Sequence, residues 1–144
     1  GMNLYNLSFM KTFNGTIPTF CTAIGDTAFG AAGITEKQAK KDGFDVVTGT
    51  FEGIFKHPGT LPGAEKQIIK IIANRKSGLL LGGSVIGGGG TGELINFISI
   101  IIQNRMTVYS VLTAQIGTHP LLTGSPITYP FLMAVEVVVK KLNR

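Results

Sequence analysis

The sequence predicts an α+β domain: an antiparallel sheet of about four strands with helices packed on it. Two observations carry this. Strand-like segments cluster before residue 87 and helical patterns follow it, so the two kinds of element are separated rather than alternating. In addition, two of the strands flank a short polar turn, Asn74-Arg75-Lys76-Ser77-Gly78, and read as a hairpin. The chain of 144 residues suits one core, and residues 2–144 are read as a single domain, with Gly1 an expression scar.

The elements follow in order. Residues 19–24, TFCTAI, read as a short buried strand. Residues 25–33 are small and glycine-rich and read as a loop or a close backbone crossing. Thr35-Glu36-Lys37-Gln38 forms a capping box: the Thr35 hydroxyl accepts from the Gln38 amide, and the Gln38 side chain reaches back. Gly43 ends that helix as a left-handed cap. Residues 44–51, FDVVTGTF, are rich in β-branched and aromatic residues and read as a strand. Prolines and glycines make 52–63 a loop. The hairpin arms are 65–73 and 79–86. In the first arm Ile68, Ile69, Ile71 and Ile72 are too apolar for a strand with one wet face, so both faces are expected to be covered.

Three helices complete the chain. Over 92–104, Leu94, Ile95, Ile98, Ile101 and Ile102 form one broad stripe, widened by Phe97 and Ile100. Such a helix is either deeply buried or an interface. Thr107 caps a second helix over 108–115. The third spans about 128–142, with Pro130 in its first turn and Lys140 and Lys141 where positive charge suits the dipole.

Composition excludes several classes. Apolar residues make up 44% and charged ones 15%, too apolar for disorder and lean enough in charge to suggest a surface covered by a partner. The net charge of +5 is spread out, and its one dense group, Lys37, Lys40 and Lys41, reads as a solvated helix face. Without aromatic interleaving this is no nucleic-acid surface. Cys21 is the single cysteine, which excludes a disulfide framework and an internal redox pair and fits a reducing cytoplasm. Residues 2–12 lack the pattern of a signal peptide. The most apolar window, 94–102, is far shorter than the roughly 18 residues of a membrane span.

The glycine run before the long helix poses the main functional question. Gly87, Gly89 and Gly92 fit G-x-G-x-x-G, the phosphate-cradling fingerprint. Locally it sits well, between a strand and a helix. A dinucleotide site also needs a second parallel strand after the helix and an acidic residue about 20 positions on. Here another helix follows, and no Asp or Glu lies between Glu93 and Glu136. Glu93 itself would repel a pyrophosphate. No Gly-Lys-Ser/Thr completes a P-loop either. The glycines therefore predict close backbone packing over 87–92, with no nucleotide there.

The ordered pieces resemble the C-terminal dimerisation domain of the pyridine nucleotide-disulfide oxidoreductases. Gly33-Ile34-Thr35-Glu36-Lys37-Gln38-Ala39 is similar to that family's G-L-T-E-x-x-A and is followed by Gly43-Phe44-Asp45-Val46. Lys70 in IIKII matches an apolar-Lys-apolar strand. Residues 75–78 and 81–87 resemble its hairpin, Glu93-Leu94-Ile95 its next helix, and Met106-Thr107-Val108 its linker. The likeness covers roughly 16–139. It implies a two-fold homodimer, and a full-length parent whose other domains bind FAD and NAD(P)H; this chain itself carries no cofactor and is not catalytic alone. The alternative is a free-standing small-ligand or anion-binding domain using the Gly87 to Gly92 helix start.

His119 is the one candidate catalytic residue. His119-Pro120 sits where the glutathione-reductase-like branch carries H-P-T-x-x-E, whose His serves as acid-base in the partner's active site. The Glu that would hold the ring is here Gly124, so no orienting carboxylate fixes its tautomer. Tyr129-Pro130, and Pro62-Gly63 after His57, resemble instead the NADH oxidase and coenzyme A-disulfide reductase branch. An ordinary loop histidine is the preferred reading. His57, His119 and Cys21 fit no metal spacing, Cys21 reads as a small buried strand residue, and Tyr109 and Tyr129 read as packing residues with one wet end.

Overall fold

In a computed structural model, residues 14–144 are described. The sequence readings on Gly1 and on residues 2–12 fall outside them. The elements are β1 (Thr19–Ile24), β2 (Thr27–Gly33), α1 (Glu36–Lys41), β3 (Val46–Ile54), β4 (Lys66–Asn74), β5 (Leu80–Ile86), α2 (Thr91–Gln103), α3 (Val108–Leu112) and α4 (Pro130–Leu142). The α+β class and the antiparallel sheet are as expected, but the sheet has five strands, in the order β1-β2-β5-β4-β3.

The additional strand is β2, in the stretch that composition marks as a loop. Its sequence, TAFGAAG, has little intrinsic strand preference. Tertiary packing chooses it. A Cβ built on Gly30 would lie 2.5 Å from the Ile95 side chain of α2, so only a strand of very small residues lets the helix settle there. β2 pairs β1 on one side and β5 on the other. It thereby makes β1 an edge strand, and every residue of β1 is exposed, against the expectation of a buried strand. Cys21 is exposed with it.

All the large helices lie on one face of the sheet. There Ile69 and Ile71 of β4 and Val85 of β5 meet Ile95, Ile98 and Ile101 of α2 and Phe131, Val135 and Val138 of α4, all fully buried or nearly so. The rings of Phe97 and Phe131 join α2 to α4 edge-to-face, with centroids 5.3 Å apart. α4 reaches the sheet closely because β3 carries Gly49: a side chain there would strike the Ala134 carbonyl and Val138.

On the opposite face, among the described residues, α1 and the adjoining Ile34 provide the cover. The helix seats Ala39 against Val46 and Ile72. Its cap is half of the expected box. The Thr35 Oγ1 accepts from the Gln38 amide at 3.2 Å, but the Gln38 side chain donates forward to Asp42 at 2.7 Å. Gly43 follows at φ +80°, as the left-handed cap requires. Lys70, from the middle of β4, donates to Glu36 Oε2 at 2.6 Å and pins α1 to the sheet. Beyond them the described residues leave the face open. Register aligns Thr22, Phe29, Ile86, Ile68 and Glu52 in one row across it. Ile68 and Ile86 are about two-fifths exposed (38% and 41%), so the expectation that both faces of β4 are covered holds for Ile72 and fails for Ile68.

The last helices are close to expectation. Thr107 caps α3 by accepting from the Ser110 amide at 3.1 Å, although α3 ends at Leu112 rather than residue 115. The Thr113 hydroxyl there donates to the Tyr109 and Ser110 carbonyls that close the last turn. Pro130 opens α4, and Lys140 and Lys141 close it.

Candidate functional site

The α2 start is where the phosphate fingerprint falls, and its geometry shows what the glycines do. Gly87, at φ +81°, passes so close to the Lys66 carbonyl that no side chain fits. Gly88 and Gly90 lie under the ring of Phe55. A Cβ on Gly88 would sit 3.3 Å from Phe55 Cβ, and one on Gly90 2.8 Å from Phe55 Cε2. Two of the three fingerprint glycines are not the packed ones. Gly92 has open space around it, and Gly89 has only an ordinary contact with Phe55 at 3.8 Å. Close packing is therefore confirmed at Gly87, Gly88 and Gly90 and is absent at Gly92.

Polar groups here are turned inward. The Thr91 hydroxyl donates to the Gly87 and Gly88 carbonyls, at 2.7 and 2.9 Å, and buried Gln67 donates Nε2 to the Gly87 carbonyl at 3.1 Å. The residues at this helix start do not fit a dinucleotide. The Phe55 ring lies over the backbone that a pyrophosphate would have to approach, and Glu93 places a carboxylate in the first turn. Phe55 is the residue that sequence reasoning missed. It stands in a loop of no regular pattern, and only the fold brings it across 30-odd residues to the glycines. Beside it is a pocket of about 310 Å³, whose lining includes Phe55, Gln67, Glu93, Phe97, Thr123 and Tyr129. Burial pushes the Tyr129 phenol above its ordinary value.

His119 lies on the exposed loop before α4. Its carbonyl accepts from the amides of Leu122 and Thr123 at 3.0 and 2.9 Å, and its amide donates to Thr123 Oγ1 at 3.0 Å. The imidazole Nδ1 accepts from the Leu121 amide at 3.3 Å, which in the neutral ring leaves the proton on Nε2. A backbone amide thus supplies an orienting contact where no carboxylate stands. Gly124 is buried, and a Cβ there would lie 2.8 Å from Pro130 Cδ and 3.3 Å from Tyr129 Cδ2. His57 belongs to a neighbouring loop, its amide donating to the Pro120 carbonyl at 3.3 Å. Cys21 is on β1, at the far edge of the sheet order from β3, whose end leads into that loop. Among the described residues, no three of His, Cys, Asp and Glu are grouped to hold a metal. No described helix is long and apolar enough to cross a membrane.

A five-stranded antiparallel sheet with its long helices on one face is an oxidoreductase dimerisation-type architecture. It is shared with an NAD-dependent persulfide reductase from A. fulgidus at a TM-score of 0.82, 24% identity, and coverage of 91% of this chain and 24% of that one. The model of the pyridine nucleotide-disulphide oxidoreductase dimerisation domain matches residues 19–128, and the chain belongs to that family. Relatives include a dihydrolipoyl dehydrogenase of Halobacterium salinarum, 32% identical over 98 residues, which are 68% of this chain and 20% of the relative. An NADH oxidase of Enterococcus faecalis is 28% identical over 116 residues, 80% of this chain and 26% of the relative. The chain thus spans about a fifth to a quarter of the proteins it matches.

Proposed function

We propose that this chain is the self-association module of a pyridine nucleotide-disulfide oxidoreductase and works by forming a two-fold homodimer. FAD and NAD(P)H belong, in this reading, to other domains of a parent enzyme or to a separate chain. The module, residues 2–144, catalyses nothing by itself and acts in the cytoplasm, with neither nucleic acid nor membrane as partner. The family match supports the reading, and one structural observation carries it: the described residues leave the sheet face opposite the helices largely open, with Phe29, Ile68 and Ile86 in one row and Phe20 beside them. Exposed contiguous apolar surface of this kind is covered when a protein works.

Most of the apolar stripes of α2 and α4 lie against the sheet. Ile100 of α2 stays 55% exposed, so part of that helix remains available to a second copy beside the open sheet face. Sedimentation across a wide concentration range tests the reading: a concentration-dependent dimer is expected, and a strict monomer throughout overturns it.

The pocket beside the glycine run favours a second reading, a small-ligand domain. Phe55 over the glycines and Glu93 in the first turn weigh against an anion there. A ligand that binds the folded state must raise the melting temperature. Inorganic phosphate and NADH are each expected to leave it unchanged, and a saturable rise with either would favour this second reading.

A further inference from the structure

The pocket of about 310 Å³ beside the glycine run has a chemistry that self-association leaves unused. It lies where β5 runs into α2, at the end of the sheet where β4 begins. The described chain begins at the other end, where Thr16, Ile17 and Pro18 lie beside Gly33 and Leu81. Three aromatic residues line the pocket. Phe55 lies over Gly88 and Gly90, Phe97 packs edge-to-face on Phe131, and Tyr129 immediately precedes α4. Rings of this kind stack flat molecules and attract cations to their faces.

The polar groups of the lining are left with acceptors to offer. Gln67 is 3% exposed, and its Nε2 is spent on the Gly87 carbonyl at 3.1 Å. No described group donates to its Oε1. Among the described residues every fully buried side-chain oxygen and nitrogen has a partner, so this unpartnered oxygen opens onto the pocket that Gln67 lines. The Thr123 hydroxyl donates inward, to the Gly124 carbonyl at 3.0 Å. Glu93 is the one charged residue of the lining, which holds no Lys, Arg or His. Its carboxylate makes no ion pair among the described residues. A helix start carries about half a positive charge, so the full negative charge of Glu93 leaves the pocket net negative.

We propose that this pocket binds a small organic cation, a flat ring bearing an amidinium- or guanidinium-type group, with the ring against the aromatic wall and the N–H groups on Glu93 and Gln67 Oε1. The inference rests on the small-ligand reading of the pocket and is independent of self-association. The class follows from what the lining lacks. An anion would meet Glu93 with no Lys, Arg or His to answer it. A purely apolar molecule would strip water from Glu93 and from Gln67 Oε1 and return no hydrogen bond, which is costly. A flat cation with several N–H groups satisfies both acceptors at once. Ligand sites run from about 300 to 1,000 Å³, so a pocket at the lower limit takes a molecule of one ring.

Benzamidine is the probe, titrated into the full chain and followed by amide NMR and by melting temperature. Saturable binding is expected at about 1 mM or tighter, with amide shifts centred on Gly88, Gly90 and Glu93. Benzoate has the same shape and the opposite charge, and it is expected to bind at least about tenfold more weakly. Glu93→Gln keeps the shape of the lining and removes its charge, and is expected to weaken benzamidine about tenfold. Leu122 lines the pocket and is 67% exposed, so Leu122→Lys brings an ammonium there at little cost to packing and is expected to abolish binding. Circular dichroism shows whether each variant folds, and the benzoate comparison needs no variant. Equal binding of benzoate and benzamidine, or benzamidine affinity unchanged in folded Glu93→Gln and Leu122→Lys, overturns the proposal. A saturable response to inorganic phosphate with none to benzamidine overturns the cation and leaves a small-ligand site standing. No saturable response to benzamidine, benzoate, phosphate or NADH overturns the cation and the small-ligand reading together.

Discussion

Gly90 and Gly92 stand two residues apart, yet they are glycine for different reasons. At Gly90 an added methyl would meet the Phe55 ring at 2.8 Å, whereas at Gly92 it would meet nothing within 4 Å. Gly92→Ala, in the first turn of α2, is expected to stabilise the protein by about 0.5–1 kcal/mol, since alanine loses less backbone entropy in a helix. Gly90→Ala is expected to cost about 1–3 kcal/mol by displacing the ring. Gly87→Ala should cost at least as much, because the obstacle is the Lys66 backbone and φ is positive. Denaturant melts of the three variants check this. A phosphate cradle would instead make Gly92 the intolerant position. Gly124 belongs to the same argument: because Pro130 and Tyr129 crowd it, Gly124→Glu is expected to destabilise the chain rather than supply His119 with a carboxylate.

At the scale of elements, α1 shows how a short helix is held. Its six residues are far below the length at which a helix persists alone, so external contacts must hold it. Ala39 supplies burial and Thr35 a cap, and Glu36 is clamped between Lys40 and Lys70, both at 2.6 Å. Hydrogen bonds from Lys40 and then Lys70 hold the Glu36 carboxyl at about 2, from an ordinary 4.5. The lowered value means the folded chain favours the charged form. The stabilisation is complete above about pH 4.5 and is lost as pH falls towards 2. Glu36→Gln is therefore expected to flatten this part of the acid limb of melting temperature against pH, and an unchanged acid limb would show that the clamp contributes nothing.

The same elements show what sequence alone made legible. Thr35, Gly43, Thr107 and Pro130 announce their roles because caps and turns depend on local backbone geometry. β2 was hidden because its small residues answer to Ile95, more than 60 positions away. That hidden strand is also why β1 and Cys21, which the sequence reads as buried, lie at an exposed edge. At the candidate site the glycine run and Glu93 were readable, but their closure by Phe55 was not, since a loop residue's destination has no periodic signature. The resemblance to the dimerisation domain was readable because it depends on ordered motifs, which survive one misread strand.

For the molecule as a whole, the described residues form an asymmetric fold: long helices on one face of the sheet, and on the other the short α1 beside an open apolar row. Two adjacent residues of β5 report on this division. Val85 points into the helix-covered core and is fully buried, while Ile86 points to the open face at 41% exposure. Threonine suits a strand as well as either residue does, so changing each to threonine isolates the environment from strand preference. Val85→Thr buries a hydroxyl in an apolar core and is expected to cost about 1–3 kcal/mol. Ile86→Thr keeps its hydroxyl in water and is expected to cost under about 1 kcal/mol in the dilute chain. It should also lower the binding of a hydrophobic dye, because it breaks the row between Phe29 and Ile68. Equal costs in denaturant melts at low concentration would mean that the open face is already covered in the isolated chain. A cost for Ile86→Thr that grows with protein concentration would mean that the cover is a second copy, because only association makes stability depend on concentration.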